Sequence, residues 1–344
     1  MNNLKIPATI ITGFLGSGKT TLIRHLLENA RGKRIALIIN EFGDLGIDRE
    51  LLIGCGIEGC DDENLVELAN GCICCTVADD FLPTMNKLLG RDELPEHIII
   101  ETSGLALPKP LVKAFNWPEV KSQVTVDGVV AVVDALAVFQ GKFAHDPNAV
   151  NTMRELDKAL DHDAPLEEVF EDQIMCADMI LINKQDLLNE ASILKVKAEI
   201  KEKIDPSVKI ISTDYGVIDP SVLLGIGAAV EDVVETRKSI HDGEEGHDHD
   251  DFESFVIEIN NITNPEQLEV RLRELVVEHQ ILRVKGFINV QGKQMRNVIQ
   301  CVGSRVHRYY DRLWREGENR RTALVIIGET GMDQNAIQHS LETL

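Results

Sequence analysis

Four groups of residues in this chain have types and spacings that can do chemistry. The first is Gly13-Phe-Leu-Gly16-Ser17-Gly18-Lys19-Thr20, followed by Thr21, which satisfies the Walker A pattern. Its glycines free backbone N–H groups to turn inward around phosphates, and a helix starting there points its positive end at them. In such a loop Lys19 reaches the β/γ-phosphates and the Thr20 hydroxyl ligates Mg²⁺. The second group, Asn183-Lys184-Gln185-Asp186, ends an apolar run. A carboxylate at Asp186 can accept from the ring N–H and exocyclic amine of guanine, a donor pair that adenine lacks. The Lys184 stem can cover the base, and Asn183 can brace the loop. The expected nucleotide is therefore GTP, not ATP.

The third group is acidic. Glu101-Thr102-Ser103-Gly104 closes another apolar run, where Glu101 can hold Mg²⁺ directly or through water and Gly104 can bring its N–H to a γ-phosphate. Glu41 and Asp44, in Asn40-Glu41-Phe42-Gly43-Asp44 with Asp48 close behind, are candidates for orienting the attacking water or completing the metal shell. A solvated acidic loop is the competing reading of that segment. The fourth group is Cys72, Cys74 and Cys75 in NGCICC. Three thiolates on a tight turn suit Zn²⁺, Cu⁺ or Co²⁺ and leave a fourth tetrahedral position open. Cys55 and Cys60 read as free thiols, Cys176 and Cys301 as buried small hydrophobes. His241, His247 and His249 could bind a metal weakly but also fit a solvated polar tract, and His25, His97, His279 and His307 are given no role.

The elements that must position these groups follow from hydrophobic patterning. Near-continuous β-branched runs at Ala8–Thr12, Ile35–Ile39, His97–Glu101, Val129–Asp134, Met179–Asn183 and Val208–Ser212 suit strands buried on both faces. Between them lie amphipathic stretches such as Thr20–Ala30, with Leu22, Ile23, Leu26 and Leu27 on one face. The expected architecture is α/β, a doubly wound P-loop domain over 1–238, with each candidate nucleotide group at a strand end. Residues 239–252, dense in charge, Gly and His, read as an acidic linker. From 253 to 344 the pattern turns strand-rich, with a helix announced by Asn264 and Pro265, and fits a smaller C-terminal α+β domain.

Composition bounds the partners. The chain has 344 residues, with 35 Lys plus Arg against 57 Asp plus Glu, a formal charge of −22. That balance argues against nucleic acid, which is bound through cationic neutralisation of phosphates, and against an anionic membrane surface. No apolar run is long enough to span a bilayer and the N-terminal stretch reads as a strand, so the expected compartment is the cytoplasm.

GFLGSGKTTLIRHLL, NEFGDLGID, NGCICC, ETSGLALPKPLV and NKQD, in that order, resemble the CobW branch of the SIMIBI-class P-loop GTPases. The resemblance covers nearly the whole chain. It implies a GTP-dependent metallochaperone that binds Co(II) at Cys72, Cys74 and Cys75 and supplies it to cobaltochelatase for cobalamin biosynthesis, with GTP and Mg(II) as its other ligands. It makes Lys19 and Thr20 phosphate and Mg²⁺ ligands, and Asn183, Lys184 and Asp186 the guanine readers. Delivery of Zn(II) is the near alternative. A small-molecule kinase or ATPase with a structural zinc clip is the alternative from another class. A homodimer is compatible with either. Hydrolysis should be slow, because no arginine finger is recognisable and such a group supplies ~10³–10⁵ in rate.

Overall fold

The structure is a computed structural model that describes residues 5–30, 33–39, 65–67, 81–144, 146, 150, 166–224, 252–259, 261–303, 305–315 and 320–343. Two compact units divide the chain, one of Lys5–Ile218 and one that takes in Asp219–Leu344. The boundary expected at 238 and residues 239–251 of the expected linker lie outside the described residues, and its last residue, Phe252, already opens a strand.

The first unit is built on a seven-stranded parallel sheet: β1 (Ile6–Thr12), β2 (Ile35–Ile39), β3 (Leu65–Glu67), β4 (His97–Glu101), β5 (Val124–Asp134), β6 (Met179–Asn183) and β7 (Lys209–Ser212), in the order β3-β2-β4-β1-β5-β6-β7. Every residue of β2, β4 and β6 is buried, as the unbroken apolar runs require of strands covered on both faces. The fold class is as expected, and β2, β4 and β6 have the bounds read from the sequence. β5 is longer by five residues, starting at Val124, because its first half pairs with Ile6–Ala8 of β1. The short edge strand β3 has no apolar run to announce it.

Helices fill the crossovers: α1 (Lys19–Glu28), α2 (Leu82–Leu89), α3 (Pro108–Ala114), α4 (Pro118–Lys121), α5 (Ala135–Phe139), α6 (Leu166–Cys176) and α7 (Glu190–Lys203). One apolar cluster joins Ile10, Ile38, Ile98 and Ile100 of the sheet to Met85, Leu88, Leu111 and Phe115. Another joins Val133, Ile180 and Ile182 to Phe170, Ile174, Val196 and Ile200. Fully burying each such side chain contributes ~1.5–3 kcal/mol. The consequence for function is geometric. All strands run one way, so the loops after β1, β4, β5, β6 and β7 leave from a single edge, where open α/β sheets bind ligands.

The second unit begins with a short helix, α8 (Pro220–Leu224). It continues with β8 (Phe252–Ile259), α9 (Pro265–Glu278), β9 (Ile281–Ile288), β10 (Met295–Val302), β11 (Arg305–Leu313), β12 (Thr322–Glu329) and α10 (Gln334–Glu342). Its five strands form an antiparallel sheet ordered β11-β10-β9-β12-β8. Asn264 caps α9 by accepting from the Gln267 N–H at 3.1 Å, with Pro265 at the first position as its sequence predicts. Leu268, Leu272, Leu275 and Val276 of α9 and Ile337 and Leu341 of α10 pack on Ile257, Val284, Ile299 and Ile326. The buried Arg283 guanidinium donates to the carbonyls of Val222 (3.2 Å) and Leu223 (2.7 Å), which ties α8 to this sheet. Arg296 and Asp311 form a sealed ion pair at a β-bulge, Nη2 and Nε donating to Oδ2 at 2.6 and 3.2 Å. Among the described residues no helix is long and apolar enough to cross a membrane.

Candidate functional site

The loop between β1 and α1 has the geometry that its glycines predict. Gly13, Gly16 and Gly18 all have positive φ, the region open to glycine and strained for other residues. Two of the three are also pressed against neighbours. A Cβ on Gly13 would lie 2.2 Å from the Val132 carbonyl oxygen, and one on Gly18 would lie 2.2 Å from Asn183 Nδ2. Gly18 is the N-cap of α1, which has no side-chain cap and no acidic residue in its first turn. The positive end of the helix is thus left for an anion. Lys19 curls back over the loop, donating to the carbonyls of Gly13 (2.8 Å) and Phe14 (3.2 Å). Ser17 Oγ is buried with no hydrogen-bond partner among the described residues. A glycine cradle, an uncapped helix start, an inward-turned ammonium and an unsatisfied hydroxyl together fit a phosphate group.

The sheet brings the other candidates to this loop. β4 lies beside β1, and the Thr20 hydroxyl comes within 3.5 Å of Glu101 Oε1 across 81 residues of sequence. A hydroxyl and a buried carboxylate at that spacing fit the hard-oxygen coordination of Mg²⁺. Gly104 sits against the phosphate loop, where a Cβ would come 2.6 Å from the Leu15 nitrogen. Its carbonyl and that of Ala106 accept from the buried Gln173 amide of α6, at 3.2 and 3.1 Å.

Asn183 is the hub of the NKQD segment. Its Nδ2 donates to the Ser17 carbonyl at 2.9 Å, and its Oδ1 accepts from the Gly216 N–H at 3.1 Å. One buried amide thereby joins the phosphate loop, the end of β6 and the loop after β7. Lys184 has φ of +61° and an ammonium 2.6 Å from Asp134 Oδ2, the last residue of β5. The Asp186 side chain faces solvent, and its backbone N–H donates to Asp214 Oδ1 at 3.0 Å. Gln185 donates to the other Asp214 oxygen at 3.4 Å.

Gly13, Gly16, Ser17, Gly18, Lys19, Thr20, Glu101, Gly104, Asn183, Lys184 and Asp186 are therefore gathered on one edge of the sheet, and Thr21 lies in the first turn of α1. Glu41, Asp44, Cys72, Cys74 and Cys75 lie outside the described residues, as do Cys55, Cys60, His241, His247 and His249. Cys301 is buried as expected; Cys176 is only half-buried, because it ends α6 at its rim. The sequence reading missed Asp134, Gln173 and Asp214. The one signal for Asp134 was a carboxylate closing an apolar run, at the same position as Glu101 in β4.

Fold and site define a P-loop GTPase. The chain belongs to the CobW/HypB/UreG family: that family's nucleotide-binding domain matches residues 7–212, and the C-terminal domain of the cobalamin synthesis protein cobW matches 252–344. Among curated proteins it is 53% identical to the zinc chaperone CobW of a Sinorhizobium species, covering 100% of this chain and 98% of that one. It is 49% identical to the zinc chaperone CobW of Pseudomonas aeruginosa over 98% of this chain and 91% of that one. The zinc chaperone YjiA of Escherichia coli is 29% identical, with 94% of each chain covered.

Proposed function

We propose that this GTPase is a metallochaperone in the cytoplasm, taking a divalent transition metal at Cys72, Cys74 and Cys75 and releasing it to a partner protein when GTP is hydrolysed. The observation that carries the GTP half is the hub at Asn183, which joins the phosphate loop to the NKQD segment and leaves the Asp186 carboxylate facing outward. The metal half rests on the three-thiol segment, which lies in sequence between the phosphate loop and Glu101, and on relatives named as zinc chaperones. In this reading the nucleotide is held within 1–238, the acidic tract of 239–252 links and 253–344 is a separate domain, with α8 and Phe252 grouped in the second unit.

The residues have distinct tasks. Lys19 exchanges the Gly13 and Phe14 carbonyls for phosphate oxygens. The α1 N-terminus and the loop amides hold the phosphate charge in place. Thr20 and Glu101 would hold Mg²⁺, which would supply neutralisation of the phosphate charge. Asp186 reads the guanine donors while Asn183 holds its loop. Glu41 or Asp44 orients the attacking water. As cargo, Zn(II) is favoured by the names of the relatives, whereas Co(II) and a cobaltochelatase acceptor rest on the motif resemblance alone.

The test is a chelator competition with Zn²⁺ and with Co²⁺, each in the GTP and GDP states. Tighter binding with GTP, by the roughly 5–150-fold of an ordinary coupling, supports the reading, as does its loss in Cys74→Ser. Equal affinity in the two nucleotide states defeats delivery by hydrolysis. A preference for ATP over GTP defeats the guanine assignment.

A further inference from the structure

We infer that Asp134 is a positioning residue of the guanine site: its carboxylate holds the Lys184 ammonium so that the lysine stem lies fixed where the base is bound. The inference rests on the guanine reading above and adds a residue to it.

The two oxygens of Asp134 have separate tasks. Oδ1 accepts the Ala137 N–H at 3.0 Å and caps α5, while Oδ2 takes the Lys184 ammonium at 2.6 Å. A cap alone needs one oxygen and no charge, and Ser, Thr or Asn would serve it equally. The buried second oxygen is what a charge partner requires, since Asp134 is only 2% exposed and a carboxylate that deep must be paired. Position agrees with this. Asp134 is the register partner of Asn183 across β5 and β6, so it stands beside the residue that precedes Lys184.

The backbone of Lys184 supplies a second, independent observation. Its φ of +61° is a left-handed conformation that favours glycine and strains a longer residue. Strain of this kind persists where the surroundings over-determine it and the side chain has a use. Here a lysine occupies a glycine-like corner, with its charged end held by Asp134. Lysine is flexible, and ordering its stem on binding would cost affinity. An acceptor already in place removes much of that cost before the base arrives. Asp134 thus acts on the base through Lys184.

The test uses the full chain and four proteins: unmodified, Asp134→Asn, Lys184→Met and the double variant. GDP and ADP affinities are measured for each, and GTP turnover is split into KM and kcat. Asp134→Asn keeps the capping oxygen and removes the charge, so helix capping is held constant. The expected result is GDP binding weaker by about tenfold to a hundredfold, the size of a lost hydrogen bond to a charged group. KM should rise by a similar factor while kcat holds. The double variant should be no weaker than Lys184→Met alone. Unchanged GDP affinity in Asp134→Asn, or losses that multiply in the double variant, would overturn the role of Asp134 and leave the guanine reading intact. Equal GDP and ADP affinity in the unmodified chain would defeat both. Should Asp134→Asn fail to fold, Asp134→Glu keeps the charge and displaces it by one methylene. Weaker GDP binding there with kcat held sustains the proposal, and unchanged binding overturns it.

Discussion

Two ion pairs on buried carboxylates, one in each unit, show how the same chemistry serves different ends. Arg296–Asp311 in the second unit is sealed, with side chains 3% and 0% exposed and the guanidinium stacked 5.0 Å over the Phe287 ring. Two of its donors converge on one carboxylate oxygen, so neither charge is offered to a ligand. Lys184–Asp134 in the first unit joins a carboxylate 2% exposed to a lysine 24% exposed, through an ammonium–carboxylate contact of 2.6 Å at the rim of the sheet. Lys19 is held in a similar way, on two carbonyl oxygens that an anion can outcompete. At the nucleotide edge Lys19 rests on carbonyls that an anion can replace and Lys184 on a carboxylate that keeps it at the rim, while the cation of the antiparallel sheet is locked inside. The difference lies in donor geometry as much as in burial. A planar guanidinium bonds through several atoms at once, and an ammonium on a flexible stem behaves as a point charge.

The contrast breaks most visibly at the locked pair. Asp311→Ala leaves a buried guanidinium without its carboxylate and should destabilise the second unit by about 3–5 kcal/mol, read in chemical denaturation. GDP affinity should be untouched, and a matching loss of nucleotide binding would erase the distinction between the pairs. Lys19→Ala should do the reverse. Turnover of GTP should be lost and nucleotide binding weakened by ~1.5–3 kcal/mol, with little change in the unfolding midpoint of the nucleotide-free protein. Turnover at the unmodified rate would refute the Walker A assignment.

Gly18→Ala tests whether the edge depends on close backbone approach. The added methyl meets Asn183 Nδ2 in a left-handed corner, so it should push Asn183 off the Ser17 carbonyl and cost ~1–3 kcal/mol in GDP binding, measured by calorimetry. The smallest effect belongs to an exposed reference point. Asp205 accepts from the Ser207 hydroxyl and its N–H, bonds that hold the carboxyl below its ordinary value. A depressed carboxylate contributes stability above its unfolded pKa and loses it as pH falls through the folded value. Ser207→Ala should therefore be about 0.5 kcal/mol less stable at neutral pH, at the low end for a hydrogen bond because Asp205 is exposed. The gap should shrink below about pH 4. A gap independent of pH would show that the methyl-for-hydroxyl exchange acts through packing.

Much of the edge was legible because its signals are local. Gly13 to Thr20 is a contiguous run whose glycines, lysine and hydroxyl are read in order, and NKQD follows a strand that announces itself by β-branched residues. The capped start of α9 was legible for the same reason, since Asn264 and Pro265 satisfy their own neighbours. Asp134 and Asp214 were not, because each acts on a residue tens of positions away. Only the order of β5, β6 and β7 in the sheet brings them to the NKQD segment. The short strand β3 was hidden because three residues at a sheet edge carry no periodicity.

By itself, then, the sequence determined what depends on near neighbours: which segments become buried strands, where the phosphate loop sits, and which residue types stand ready at the strand ends. Tertiary structure decided which of them meet. It set Thr20 against Glu101, Asn183 between Ser17 and Gly216, Lys184 on Asp134, and α8 on Arg283. The physical reason is range. Local patterning fixes how a segment turns and which side it buries, whereas a hydrogen bond across 50 or 166 residues exists only once the sheet has ordered its strands.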